Sequence, residues 1–526
     1  MRTNRPHRSR PTKASSNRQR HSSPAGPEQL QRDNKRLLRE NTDLRRKVAE
    51  RDQRISDAEK QISDGEKQIA DSEKQIADLE RQLALRQRNS TNSSKPPSSD
   101  GLAGAQRPRG RKLKSKRKPG GQPGHAGHHR RLVPAEQVSA VEVMLPHQCR
   151  HCERNLPQQP GKVRTEGEPR RHQVTELPPV KAHITEYQFP NVVCGHCGKA
   201  TRMALPAEIG GQFGPQLTAL IAYLTVFCRL PRRVVETMLA DMVGIEISLG
   251  STQKAWEEVS QAVEHPVAHL QEQLPHQAVL NVDETGWRTN GDKRWMWALV
   301  AGEFAFYVVA AHRNTAVLVS LLGALFRGIL CSDRYAVYLN YHSGKMQLCW
   351  AHLKRALQGI LDHPQSVQGE RFARDALSQY ASLFRLWWKF RAGRIDRPQL
   401  MERSKRIKSK FRSLAVSYWD SHDRDVANLA NGFGKHLERL FTFLEEPGVE
   451  PTNNKAERAL RRAVQWRKTS FGNRSSQGEI AVGRMLTVVE TCRMQDRHVL
   501  GYLSEAVACH RSRTQVAELS PKQLDT

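Results

Sequence analysis

QAVLNVD at 277–283, WMWALVA at 295–301 and EFAFYVVA at 303–310 are three apolar, β-rich runs in close succession. Runs of this length, bounded by turn residues, read as strands, and the Ala-Gly-Glu at 301–303 reads as a hairpin turn. Downstream, TAVLVSLLGALF at 315–326 reads as a helix, and GILCS at 328–332 as a buried strand that ends at Asp333. KMQLCWAHLKRALQGIL at 345–361 reads as strand into helix. Residues 362–446 are mostly helical in pattern and rich in Trp, Phe and Arg, and a charged helix opens within PTNNKAERALR at 451–461. The order strand–strand–strand–helix–strand–helix–strand, then an all-helical block, predicts an α+β core over 273–361 and 447–526, with 362–446 inserted.

Acids mark this pattern. Asp283 is expected to close the first strand and Asp333 the fourth, so neighbouring strands would bring both carboxylates to one sheet edge. Asn453 is a plausible N-cap, which puts Glu457 about a turn inside its helix. Three converging carboxylates suit two Mg²⁺ (or Mn²⁺) ions about 4 Å apart, an arrangement for in-line attack on a phosphodiester. Each acid alone has an ordinary reading: a turn residue at a strand end, or for Glu457 an ion pair with Arg461 at i+4. Glu284 points to the opposite face if the strand continues, and is the weaker candidate. His352 and Arg355, in CWAHLKR, read either as supports to the acids or as residues capping the strand.

Composition agrees with a polyanion partner. The 526 residues carry 84 Lys+Arg against 54 Asp+Glu, a formal charge of +30. Arg458, Arg461, Arg462 and Lys468 surround the third acid and are candidates for gripping DNA. The longest apolar run, LTALIAYLTVF at 217–227, is too short to span a bilayer. The basic N-terminus lacks a secretory apolar segment. No membrane partner is expected, and the expected location is cytoplasmic, beside the nucleoid.

The rest of the chain reads as further domains. Residues 1–27 form a basic tail. Residues 28–88 carry a heptad with four near-copies of one unit (ISDAEKQ, ISDGEKQ, IADSEKQ, IADLERQ), which predicts a coiled coil, or leucine zipper, and a homo-oligomer. Asn34 and Asn41 on one seam would fix its register. Residues 89–131 read as a flexible linker whose RPRGRKLKSKRK supplies Arg107, Arg109, Arg111 and Lys112 for phosphate contact. Within 132–205, Cys149-x-x-Cys152 and Cys194-x-x-Cys197 predict a zinc-finger-like domain with one structural Zn²⁺. Residues 206–272 read as three helices, with Pro231 in a first turn and Ser251 as a cap. That spacing fits a helix-turn-helix-like DNA-binding domain, and as well an ordinary helical connector.

In chain order, the zipper, NSSKPPSSD, GGQPGHAGH, the paired CxxC knuckles, RLPRRV, DETGWR, SDRYAVY, CWAHLKR, NNKAERALR, KTSFGNRSSQGE and TVVETCRMQDRHVLGYL resemble the insertion sequence 66 family of bacterial transposases, the large DDE-type enzyme. The resemblance spans about 28 to 510. It implies an RNase H-like α/β catalytic core with a helical insertion before the Glu, and a metal-binding triad on Asp283, Asp333 and Glu457. It implies cleavage at the ends of a mobile element, joining of the freed 3′-ends to target DNA, and small accessory proteins from the same element as partners. Family members often carry Gly where this chain has Arg334. Two rival readings are a catalytically inactive zinc-containing DNA-binding regulator and a nuclease or resolvase on the same fold.

Overall fold

A computed structural model describes residues 26–87, 92–93, 132–362 and 366–520. The N-terminal basic tail (Gly26 and Pro27 apart) and the run 107–118 lie outside the described residues. The chain divides into two compact units, at 1–88 and 89–526.

The first unit is one helix, α1 (Pro27–Gln87), and 61 residues at 1.5 Å each span roughly 90 Å. Asp43 pairs with Arg46 at 2.8 Å and Lys47 at 2.9 Å, contacts three and four residues apart that support a helix locally. Its seam residues Leu37, Leu44, Val48, Ile55, Ile62 and Ile69 are each more than half exposed. Among the described residues of this unit, nothing covers this stripe of apolar side chains at period seven. The Leu83 side chain lies outside the described residues.

In the second unit, residues 132–205 hold little regular structure. Only β1 (Asn191–Val193) and β2 (Ala200–Arg202) form strands, paired antiparallel. Of AHITEYQFPNVV at 182–193, which reads as strand-like, only the last three residues, β1 itself, form a strand. Val141, Val174, Ile184 and other apolar residues of this segment are exposed, so it has no packed core of its own.

Three helices follow: α2 (Pro215–Val226), α3 (Arg232–Val243) and α4 (Leu249–Ala262), then α5 (Glu264–Gln273). The expected caps shift. Pro231 stands just before α3, and the Ser248 side chain, not that of Ser251, caps α4 by accepting the Ser251 N–H. Gly244, at φ 69°, lets the chain turn left-handed out of α3. Ile221, Leu224, Val235, Leu239 and Ala255 form a small core among these helices.

The central sheet is mixed, in order β5-β4-β3-β6-β7. Its strands are β3 (Val279–Thr289), β4 (Asp292–Val300), β5 (Ala305–Ala310), β6 (Ile329–Ser332) and β7 (Met346–Leu348). The β3-β4-β5 meander is antiparallel, and β3-β6-β7 is parallel. Between them, α6 (Thr315–Leu322) ends earlier than expected because Gly323 takes φ 78°, ψ 178°, a glycine conformation that breaks the helix. A short helix, α7 (Ala336–Tyr341), follows Asp333.

From β7 the chain enters α8 (Trp350–Asp362), and α9 (Val367–Arg391), α10 (Arg397–Tyr418) and α11 (Arg424–Glu445) form the helical block. Trp350, Phe372, Phe411, Phe433 and Phe441 fill its centre, and the Trp350 indole N–H donates to the Leu440 carbonyl at 2.5 Å. The linker reaches this layer: Asn92 is buried, and Gly359 of α8 packs so close that an added Cβ would meet the Asn92 carbonyl oxygen at 2.4 Å. The chain then returns to the sheet through α12 (Asn454–Ser470), α13 (Ser476–Met494) and α14 (Val499–Ser512). A long N-terminal helix, a mixed five-stranded sheet and many helices make an α+β protein, consistent with an RNase H-like core. Among the described residues no helix is long and apolar enough to cross a membrane.

Candidate active site

The register of the sheet brings two acids side by side. The last parallel pair between β3 and β6 is Asn281 with Cys331. Asp283 and Asp333 each lie two residues beyond that pair. Neighbouring strands run about 4.8 Å apart, so equal offsets put both residues at one level. Asp283 does not end its strand, as the sequence suggested. β3 continues to Thr289 because β4 pairs with it along its length, Asp283 opposite Ala298. What stops at this level is the parallel neighbour β6, at Ser332.

Alternation then sorts the side chains. Asn281 and Asp283 share one face of β3, and Glu284 takes the other. There Glu284 is fixed by the Arg313 guanidinium and the Tyr338 hydroxyl. Arg313 itself stacks over the Tyr335 and Trp295 rings at 3.8 and 4.9 Å. The Tyr335 N–H donates to Asp333 Oδ1 at 2.8 Å.

A buried pair of amides brings α12 to the Asp283 face. The Asn281 side chain donates to Asn453 Oδ1 at 2.9 Å, and Asn453 Nδ2 donates to the Val282 carbonyl at 2.8 Å. Asn453 therefore stands at the N-cap position but makes no side-chain cap. Its amide is spent across the sheet instead. Its backbone N–H donates to Cys349 Sγ at 3.2 Å, and the Glu457 N–H donates to the Asn453 carbonyl at 3.2 Å. Glu457 lies in the first turn, where the helix dipole favours an anion. It does not pair with Arg461. Its Oε1 lies 3.5 Å from Arg355 and 3.4 Å from His352 Nδ1.

The electrostatics are those of crowded anions. Burial, then the Glu284, Asp333 and Glu457 carboxylates, pushes the Asp283 carboxyl well above its usual range. Burial also raises Asp333, against the Tyr335 N–H and the Arg313, Arg334 and Arg355 charges, which lower it. Glu284 rises to about 7, chiefly by burial and despite Arg313. Burial, Arg355 and Arg334 drive His352 down to about 3, so its ring is neutral beside Glu457 and the contact is no ion pair. Cys349, His352 and Glu457 offer potential ligand atoms within 4.8 Å of one another. The sequence reading overlooked Cys349, Asn453's role, Arg313 and Tyr338. DETGW and SDRYAVY contain or adjoin these contacts, but nothing in their spacing shows which atoms meet.

The DNA-binding candidates divide. Arg458, Arg461 and Lys468 are exposed on α12. Arg462 is turned inward, contrary to expectation: it pairs with Glu490 at 2.9 Å and lies over the Phe227 ring at 4.8 Å. Arg107, Arg109, Arg111 and Lys112 lie outside the described residues.

The cysteine pairs form two tight turns. The Cys149 N–H donates to the Arg154 carbonyl and the Cys194 N–H to the Lys199 carbonyl, both at 2.9 Å. N–H groups of His151 and Cys152 lower the Cys149 thiol, and those of Cys197 and His196 lower Cys194. Each turn thus favours thiolate, the form that ligates zinc. Cys149, Cys152, Cys194 and Cys197 do not gather as one cluster.

Comparison with known proteins places this geometry. The family model described as "Transposase IS66 family" matches residues 210–480, which include all three acids. The chain belongs to the IS66 transposase family. A second model, a family of unknown function (DUF6444), matches residues 21–131. Two uncharacterized proteins of Sinorhizobium fredii (strain NBRC 101917 / NGR234) are similar. The chain is 27% identical to y4jO over 171 residues, 31% of this chain and 49% of that protein. It is 25% identical to y4qI over 243 residues, 41% of this chain and 43% of that protein. The chain spans just under half the length of these curated relatives. The IS66 match runs from the segment before α2 into the first turns of α13, so it takes in the sheet, the helical block and α12.

Proposed function

We propose that this protein is the DNA transposase of an insertion sequence, cutting at the element's ends and joining the freed 3′-ends to target DNA. The observation that carries the reading is the shared level of Asp283 on β3 and Asp333 just past the end of the adjacent β6, with α12 stitched to the Asp283 face by Asn281 and Asn453. Family membership supports it. Asp283, Asp333 and Glu457 are the residues that would hold two Mg²⁺ or Mn²⁺ ions. The donor set suits such ions, since carboxylate oxygens are the ligands hard divalent cations take, and the Glu284, Asp333 and Glu457 charges add to burial in raising the Asp283 carboxyl. Bound divalent ions supply the Lewis acidity that activates a water or 3′-hydroxyl and offsets charge on the leaving oxygen. Asp283, on β3, and Asp333, directly after β6, would hold that centre from the sheet. Arg355 holds the Glu457 carboxylate beside the neutral His352 ring, and Arg458, Arg461 and Lys468 would receive the DNA backbone.

Incubating the protein with Mg²⁺ and DNA carrying its element's ends should give nicked ends, and pre-cut 3′-OH ends should join to a target plasmid. Hydrolysis without joining would favour the nuclease reading, and no cleavage at all the inactive regulator.

The two cysteine turns would each supply two ligands to one structural zinc, which would gather the coreless segment 132–205. Metal analysis should return about one zinc per chain, and chelation should open this segment to trypsin. A zinc-free protein whose proteolysis chelators leave unchanged would contradict that. The exposed seam of α1 suits a second copy of itself, so deleting 28–88 should lower the mass in solution, and an unchanged mass would count against it.

A further inference from the structure

α12 ends at Phe471, which takes a left-handed backbone, φ 61° and ψ 10°. A positive φ is an outlier for so bulky a residue. Burial does not compensate it, since Phe471 is 81% exposed. The residues on either side are fixed. The Phe471 N–H donates to the Arg467 carbonyl at 2.9 Å, and Arg467 is pinned to the Gly286 carbonyl and the Thr285 hydroxyl of β3. Beyond it, Gly472 approaches the Arg288 carbonyl so closely that an added Cβ would sit 2.1 Å away. The Asn473 N–H donates to that carbonyl at 2.9 Å, the Asn290 N–H donates to the Asn473 carbonyl at 2.8 Å, and the Trp287 indole donates to Asn473 Oδ1 at 2.6 Å. Side chain, backbone and a glycine that admits no Cβ all serve to hold one apolar ring out into solvent.

The surroundings say what the ring meets. Three exposed cations are close by in the chain or in the fold: Lys468 in the last turn of α12, Arg474 on the loop, and Arg288, whose carbonyl Gly472 meets, a setting for phosphates near a stacked base. Behind the loop lies a cleft of about 650 Å³ lined by Trp256, Trp466, Arg232 and Arg474, large enough for a nucleotide. β3 and α12 both run from the acids to this loop. The 14 residues from Glu457 to Phe471 cover about 21 Å at 1.5 Å each. That distance is about six nucleotide steps at 3.4 Å per strand.

We propose that Phe471 is a base-stacking wedge, inserting against an unstacked base of bound DNA about six nucleotides from the phosphate held at the acids. This rests on the transposase reading. An aromatic wedge offsets the loss of base stacking, and the rigid loop lets it do so without ordering a flexible segment first.

The test uses the full chain and end DNA with 2-aminopurine placed singly at each of several positions around the sixth from the cut. Wild type should brighten the probe at one position in that window. Phe471→Ala should abolish the brightening and weaken end binding about 5- to 150-fold, the range for loss of one base–aromatic stack. Phe471→Trp should keep both. Because the ring is exposed, neither change touches the core. Wild type that binds without brightening any position, or an alanine variant that binds as tightly, would overturn the wedge alone. Wild type that does not bind its ends would overturn the transposase reading as well. An alanine variant that loses self-association without DNA would assign the ring to a protein interface and overturn the wedge.

Discussion

Asp283→Asn is expected to lower Mg²⁺-dependent strand cleavage by at least about 10²–10³-fold, the loss seen when one preorganised group facing developing charge is removed. Binding of element ends should survive. Asparagine keeps the shape and the oxygen that accepts the Glu284 N–H at 3.0 Å, and removes only the charge. The same change should raise the melting temperature of the metal-free protein at pH 8. A carboxyl whose folded pKa is raised contributes stability that is complete below the unfolded value, near 4, and is lost as pH rises through the folded one. Asp283 is raised by burial and by Glu284, Asp333 and Glu457, so at pH 8, where the unfolded carboxyl is ionised, the fold is penalised relative to one with a neutral side chain there. The advantage of the variant should shrink toward pH 4, and also on adding Mg²⁺ to wild type. A variant that cleaves as well as wild type, or melts lower than wild type across this range, would contradict the assignment.

Asn453→Ala should have the second-largest effect. It removes both amide bonds to β3 and leaves the Asn281 side chain and Val282 carbonyl buried without those partners. At about 1–3 kcal/mol for each of the two groups left unsatisfied, stability should fall by about 2–6 kcal/mol. Asn453 acts as a positioning residue, since its carbonyl begins the turn that carries Glu457. A shift of about 1 Å in a reacting geometry can cost about 10²-fold, so cleavage should drop by that order at temperatures where the variant is still folded. A merely structural role would lower the melting point and leave cleavage by the folded fraction unchanged. Asn281→Ala combined with it should show coupling of about 0.5–3 kcal/mol, the range for residues in one buried network.

The contrast between these two residues shows how far the sequence carried. Apolar runs and their turn signals marked the strands, because burial on a sheet selects β-branched and aromatic residues directly. Asp333 was legible for the same reason: it follows the apolar run of β6 immediately. Asp283 stood out as a candidate but was placed at a strand end, since nothing local reveals that β4 pairs on past it to Thr289. The parallel register that levels Asp283 with Asp333 joins residues about 50 apart in the chain, and no periodicity encodes it. Asn453 was legible as a cap because caps are local, whereas its real partners lie 171 and 172 residues away. Arg462 looked like its exposed neighbours on α12 until Glu490 and Phe227 were seen to face it. The end of α6 was missed because Gly323 breaks the helix through its backbone while the apolar pattern runs on.

The central claim is that Asp283, Asp333 and Glu457 form one divalent-metal centre that cleaves DNA. Its most direct test is Mn²⁺ binding, followed by electron paramagnetic resonance on full chain stripped of divalent ions, in wild type and in Asp283→Asn, Asp333→Asn and Glu457→Gln. Saturable binding in wild type that each substitution weakens, with cleavage lost in parallel, is the predicted result. Binding and cleavage that persist in any of the three variants would contradict it.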